Sequence, residues 1–261
     1  MLSPDRPITS KEIPMAAAAI LERIRVRTPR IHCITNAVAQ NFSANMLLAV
    51  GAIPSMTIAP EEVGQFALSA DALLVNLGTF DAERRKAADI AIDVMVKQNK
   101  PWLLDPVFVE RSPPRTAYAQ LLLEKHPRAV RLNRAEFTAL AGTDVEGATL
   151  SRFSALHNTI VGLTGEADIV MDYGRLVCIT NGDPLMVRVT AMGCAGSCII
   201  GACLAVEKDA WVATAAGLLI LGVAGQLAAK QSQGPGSLAV NILDVLHNLD
   251  GTALIEHARV V

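Results

Sequence analysis

Apolar residues follow two alternating rhythms along this chain. From Ile13 to Arg27 they recur at helical spacing and end in charge, which predicts a helix. The short apolar run Ile31 to Ile34 predicts a strand. Asn41 to Val50 is helical in pattern, and Gly51 is a natural stop. Ile53 to Ile58 predicts the next strand, Glu61 to Ser69 a helix, and Ala72 to Leu77 a buried strand. Asp81 to Gln98 predicts a helix with Asp81 at its cap, charges on one face and Ala, Ile and Val on the other.

The alternation continues with a strand at Pro101 to Pro106, a helix at Arg115 to Lys125, a strand at Ala129 to Leu132 and a helix at Arg134 to Ala141. Thr159 to Leu163 predicts another strand. Asp168 to Asp172 and Arg175 to Thr180 flank Tyr173-Gly174 and predict a hairpin. After the turn Ala191-Met192-Gly193-Cys194 the remainder is mainly helical. Strand and helix in alternation predict an α/β fold whose mostly parallel sheet is covered on both faces. No repeat or linker interrupts residues 1–261, so a single domain is expected.

Composition sharpens this picture. Hydrophobic residues make up 51% of the chain and aromatics only 4%, so aliphatic side chains must build the core. That suits helices packed closely on a parallel sheet. The formal net charge of -2, without a basic block, offers no electrostatic footprint for nucleic acid. The stretch 210–229 is uncharged and long enough to span a membrane. Its small residues equally suit close packing inside a large domain, and no membrane is expected. The N-terminus lacks the apolar segment of a secretory leader. Five cysteines, an odd number without paired spacing, point to a reducing, cytoplasmic setting. Cys194-x-x-x-Cys198 resembles half a zinc site, but no second Cys/His pair completes it.

In open α/β sheets, ligands gather beyond the carboxyl ends of the strands. Those ends here carry Asn76-Leu-Gly-Thr79, Asp105-Pro106, Asn133 with Glu136, Thr164-Gly-Glu166 and the turn before Cys194. Asp105 could be a helix cap, and Asn133-x-x-Glu136 a capping arrangement. Together the two acids also suit Mg²⁺, which takes one or two carboxylates and keeps waters. Neither a P-loop nor a dinucleotide glycine fingerprint is present. Gly193-Cys194 opens a helix, where free N–H groups bind anions. The same field is expected to lower the Cys194 pKa. Cys194 could otherwise be a small core residue like Cys198 and Cys203.

Seven blocks, in order, resemble the hydroxyethylthiazole kinase family: ITNAVAQNFSANMLLAVGAIPSM, ALLVNLGTF, LLDPV, RLNRAEFTALAG, TGEADIV, NGDPLMVRVTAMGCAGS and GPGSLAVNILDVL. The likeness spans about His32 to Leu249. It implies a ribokinase-like three-layer α/β/α sandwich that uses ATP and Mg²⁺ to phosphorylate 4-methyl-5-(2-hydroxyethyl)thiazole in thiamin salvage. It further implies a homotrimer with sites between subunits. By resemblance, Met56, Asn36, Val38 and Ala191 match positions at the substrate. Arg131, Thr164 and Gly193 match ATP or phosphate positions, and Asp105 and Glu136 match acids at the metal. Cys194 matches the residue at the acceptor hydroxyl.

Two turns depart from the family pattern. Its Gly-Thr-Gly-Cys is here Ala191-Met192-Gly193-Cys194, and its glycine-rich run after the aspartate is here Val107-Phe108-Val109-Glu110-Arg111-Ser112. If Ala191 needs a positive φ it is strained. Glu110 adds negative charge near a nucleotide unless Arg111 or Arg115 offsets it. The departures leave three other readings: a kinase for another alcohol, a heterocycle-binding relative without efficient transfer, and a cysteine hydrolase, for which no histidine is marked as a base.

Overall fold

The structure is a computed structural model and describes residues 8–261. Residues 1–7, part of the stretch read above for a leader, lie outside the described residues. The first half of the chain runs α1 (Ile13–Arg27), β1 (Arg30–Ile34), α2 (Gln40–Val50), β2 (Ile53–Ser55), α3 (Val63–Ser69), β3 (Ala72–Asn76), α4 (Ala82–Lys97) and β4 (Trp102–Asp105). Then follow α5 (Pro113–Leu123), β5 (Ala129–Asn133), α6 (Arg134–Ala141), α7 (Gly147–His157) and β6 (Ile160–Thr164). The chain ends with β7 (Asp168–Met171), β8 (Leu176–Ile179), α8 (Met192–Val206), α9 (Ala210–Lys230), α10 (Pro235–Asn248) and α11 (Gly251–His257).

The eight strands form one sheet in the order β2-β1-β3-β4-β5-β6-β7-β8. Pairing is parallel from β2 through β6 and antiparallel for β7 and β8. Strand side chains alternate between two cores, as the period of two requires. Ile31, Cys33, Ala72, Leu74, Leu103 and Ala129 face the core shared with α1, α2 and α8 to α11. Ile34, Leu73, Val75, Leu104, Val130 and Leu132 face the core shared with α3 to α7. The result is the expected three-layer α/β/α sandwich.

The apolar stretch 210–229 is the body of α9, a helix long and apolar enough to cross a membrane but buried along nearly its whole length. It packs inside the molecule against α1, α8 and α10. Asp209 caps it, accepting from the Trp211 and Val212 N–H groups.

The strand order reverses between β1 and β3: the chain leaves β1 for β2 on one side and returns to β3 on the other. At such a switch point the two connections diverge and open a crevice. Asn36 follows β1 and Asn76 ends β3, so the crevice opens between two buried asparagines.

Candidate active site

The geometry begins with a chain of polar side chains across the carboxyl ends of β1, β3 and β4. Asn36 Nδ2 donates to Asn76 Oδ1 at 3.0 Å and to Cys194 Sγ at 3.3 Å. Its Oδ1 accepts from the Ala39 N–H. Asn76 Nδ2 donates to Asp105 Oδ2 at 2.8 Å, and its Oδ1 also accepts from the Gly78 N–H. From the opposite side Ser197 Oγ donates to the same Asp105 oxygen at 2.8 Å. Gly78 is required here, because a Cβ on it would lie 2.6 Å from that of Asn36.

Asp105 is fully buried and caps no helix, so of its two sequence readings the capping one is set aside. Its Oδ2 holds two hydrogen bonds, while Oδ1 has none and stands 4.0 Å from the Arg131 guanidinium. The carboxylate is thus locked through one oxygen and leaves the other free. Asn133 and Glu136 do form a capping box: Asn133 Oδ1 accepts from the Glu136 N–H at 2.9 Å, and Glu136 Oε2 accepts from the Asn133 N–H at 2.8 Å. Glu136 also accepts from the Phe108 N–H through Oε1 at 3.1 Å.

Burial raises the pKa of both carboxyls, and the Asp105 charge adds to the effect on Glu136. Two buried acids that repel each other, one with an orphan oxygen, suit a hard divalent cation with retained waters. The donor set therefore fits Mg²⁺.

Cys194 occupies the first turn of α8. Contrary to the expectation from the helix field, its thiol is pushed up to about 12. Burial dominates and the nearby Asp105 charge adds to it, against the amide donors of Asn76 and Asn36 and the Arg131 charge. The sulfur is therefore a thiol at neutral pH. Its hydrogen-bond partner is an asparagine, which leaves a cysteine-hydrolase reading without its base.

The Arg131 guanidinium lies against Gly193: a Cβ there would stand 2.9 Å from both terminal nitrogens. Glycine at this position lets the cation reach the start of α8. Ala191, just before the helix, has φ 65° and ψ 1°, so the strain foreseen for it is present. Phe108 is also left-handed, at φ 59°. Glu110 is offset as anticipated, since Arg111 Nε donates to it at 3.1 Å and its charge also acts on Arg115.

Thr164 ends β6 and turns its hydroxyl to the Leu132 carbonyl at 3.4 Å. Met56 is partly buried beside the α8–α9 core, while Val38 is 67% exposed. The structure links Asn36 to Cys194 and, through Asn76, to Asp105, sets Arg131 against Asp105 and Gly193, keeps Glu136 in its capping box within the field of the Asp105 charge, and leaves Met56, Val38 and Thr164 outside that network. The sequence reading assigned no role to Ser197 or Asp168. Ser197 falls three residues after Cys194, a spacing that puts both on one helix face. Asp168 accepts from the Gly165 N–H at 3.1 Å, and burial holds its pKa up at about 6 against that bond and the Arg131 charge.

A buried acid pair, an arginine and a helix start thus gather at the carboxyl ends of these strands. Comparison with known proteins decides the matter: the model of the hydroxyethylthiazole kinase family matches residues 21–252. The chain belongs to this family. It is 42% identical over 253 residues to the probable hydroxyethylthiazole kinase of Agrobacterium fabrum, covering 96% of this chain and 98% of that one. It is 43% identical over 268 residues to the hydroxyethylthiazole kinase of Granulibacter bethesdensis, covering 95% and 98%. The solved hydroxyethylthiazole kinase structure from Pyrococcus horikoshii superposes with a TM-score of 0.88 at 32% identity, covering 94% and 98%. A ribokinase-like superfamily protein from Enterococcus faecalis shares the fold, with a TM-score of 0.69 at 15% identity and coverage of 90% and 95%.

Proposed function

We propose that this chain transfers the γ-phosphoryl group of ATP to the hydroxyl of 4-methyl-5-(2-hydroxyethyl)thiazole in thiamin salvage. The observation that carries the reading is the Asn36–Asn76–Asp105 chain meeting Gly193-Cys194 at the start of α8, in a member of this kinase family. Asn36, Val38, Met56 and Ala191 line the thiazole side. Arg131 and Thr164 hold ATP, and the Gly193–Cys194 backbone at the helix start receives the transferred group. Asp105 and Glu136 would hold Mg²⁺, which neutralises phosphate charge when bound.

Cys194 orients the acceptor hydroxyl as a neutral thiol. A thiol with a pKa near 12 is a weak candidate for a thiolate nucleophile, and it forms no covalent intermediate. Transfer through a loose transition state depends chiefly on positioning and charge neutralisation, which Arg131 and the helix start supply. The chain works as one kinase domain, a reading supported by the single sheet. It acts in the cytoplasm as a homotrimer with sites between subunits; exposed Val38, Leu48, Ile53 and Val240 offer apolar surface for such contacts.

The test measures ADP and phosphorylated product with ATP, Mg²⁺ and hydroxyethylthiazole, omitting the thiazole in one control and using Cys194→Ala in another. Thiazole-dependent product is expected, with turnover of the variant down roughly 10- to 100-fold and its fold intact. Thiazole binding without product would instead make the chain a binder. Neither product nor binding would shift the search to other alcohols. A phospho-enzyme trapped on wild type, together with complete loss of activity in Cys194→Ala, would overturn the orienting role.

A further inference from the structure

The loop after β4 turns Val109 into the core through a left-handed residue whose own side chain gains little burial. Phe108 sits at φ 59°, a region that bulky side chains avoid, yet its ring is 49% exposed. A strained residue that gains little burial points toward function. Besides the backbone bonds of the turn and the Thr116 hydroxyl on the Val109 carbonyl, three further interactions hold the segment. The Phe108 N–H is held by the buried Glu136 carboxylate at 3.1 Å. Arg115 Nη1 holds the Val107 carbonyl at 2.7 Å. The Arg111 guanidinium lies over the Phe108 ring, 5.0 Å from its centre.

Charge adds to this geometry. Glu110 stands between Arg111 and Arg115, so two guanidiniums face one carboxylate and the loop keeps a positive excess. The Arg111 side chain is 74% exposed, and Glu110 meets only its Nε, so its terminal nitrogens remain free to donate. This cation follows Phe108, whose N–H is bonded to Glu136, on the loop that leaves Asp105 at the end of β4. A planar guanidinium held against an aromatic ring is pre-ordered for phosphate oxygens.

We infer that Arg111, braced by the left-handed Phe108, contacts the β- or γ-phosphate of the nucleotide. The inference rests on the proposed use of ATP at this site. Phe108 acts through Arg111 as a positioning residue. In this chain the bulky loop replaces conformational freedom with a fixed cation.

The test titrates the full chain by calorimetry with a non-hydrolysable ATP analogue and with AMP, so it reads binding whether or not the thiazole is the acceptor. Arg111→Ala is expected to weaken the analogue roughly five- to tenfold and leave AMP unchanged, as an exposed charge-assisted bond would. Raising the salt should narrow the difference between wild type and variant. Phe108→Gly relieves the left-handed strain, so its melting temperature should rise while analogue binding weakens. The double variant should bind no worse than Arg111→Ala alone. Unchanged analogue affinity in Arg111→Ala, or equal losses for analogue and AMP, would overturn the assignment. Phe108→Gly that binds as tightly as wild type would remove the bracing role. If wild type binds the analogue but phosphorylates no thiazole, the function assigned above fails and this inference stands. If wild type fails to bind the analogue, both fall.

Discussion

At the scale of single residues, burial is the largest cause of the pKa shifts at Cys194 and His32. Cys194 shows this, because its thiol rises although it stands at a helix start. His32 shows it with the opposite charge type. It lies in β1 with no exposure, bonds Ser55 Oγ through Nδ1 at 2.9 Å and packs on Phe66. Burial lowers its pKa from 6.5 to about 4, against the backbone of Thr57 and Ser55 and the Glu62 charge. Between these values the unfolded chain binds a proton that the folded chain refuses. The stabilising difference is therefore complete above pH 6.5 and is lost as pH falls through 4. Its size is at most about 3 kcal/mol. Urea midpoints at pH 7 and pH 4.5 check it: wild type should lose more stability than His32→Gln over that interval. Equal losses would mean that His32 does not titrate in this way.

At the scale of elements, most boundaries could be read from the sequence because apolar period and cap chemistry agree. α1 and α6 run over the predicted residues, and Asp81 caps α4 as foreseen, accepting from the Arg84 N–H. Strand β2 stops at Ser55 rather than Ile58; it pairs only with β1 and contains Pro54, which has no N–H to donate. Helix α7 has a mixed polar pattern and starts at Gly147, so it carried no clear signal. The acids and Cys194 were legible as polar residues at strand ends. The Ser197–Asp105 bond was not, because it joins residues 92 positions apart through the placing of α8 against β4. Ala191 connects sequence to geometry: φ 65° makes its side chain a liability costing about 1 kcal/mol or more. Part of that returns through the flexibility glycine adds to the unfolded chain. Ala191→Gly should raise the thermal midpoint by about 1–3 °C in a chain of this length. A lower midpoint in a calorimetric scan would show that the alanine methyl contributes packing which outweighs its strain.

At the scale of the whole molecule, the site depends on how closely α8 meets α9. α8 carries Gly193, Cys194 and Ser197 in its first two turns, and α9 packs directly against it in the same layer. Gly217 makes that approach possible: a Cβ there would lie 2.8 Å from the Ile200 Cα and 3.0 Å from its backbone nitrogen. Backbone has no alternative rotamer, so the two helices would have to separate. Alanine gains about 1 kcal/mol over glycine in helix propensity. Overpacking a tight core costs about 1–3 kcal/mol. With backbone as the obstacle, the cost should prevail, and Gly217→Ala should unfold at lower urea concentration than wild type. Gly236→Ala in α10, where nothing lies within 4 Å of the new Cβ, supplies the control and should be neutral or slightly stabilising. Because a displaced α8 carries Ser197 away from Asp105, the Gly217 variant should also lose turnover at temperatures where it is still fully folded. A Gly217→Ala protein as stable and as active as wild type would show that the helix pair yields without disturbing the crevice.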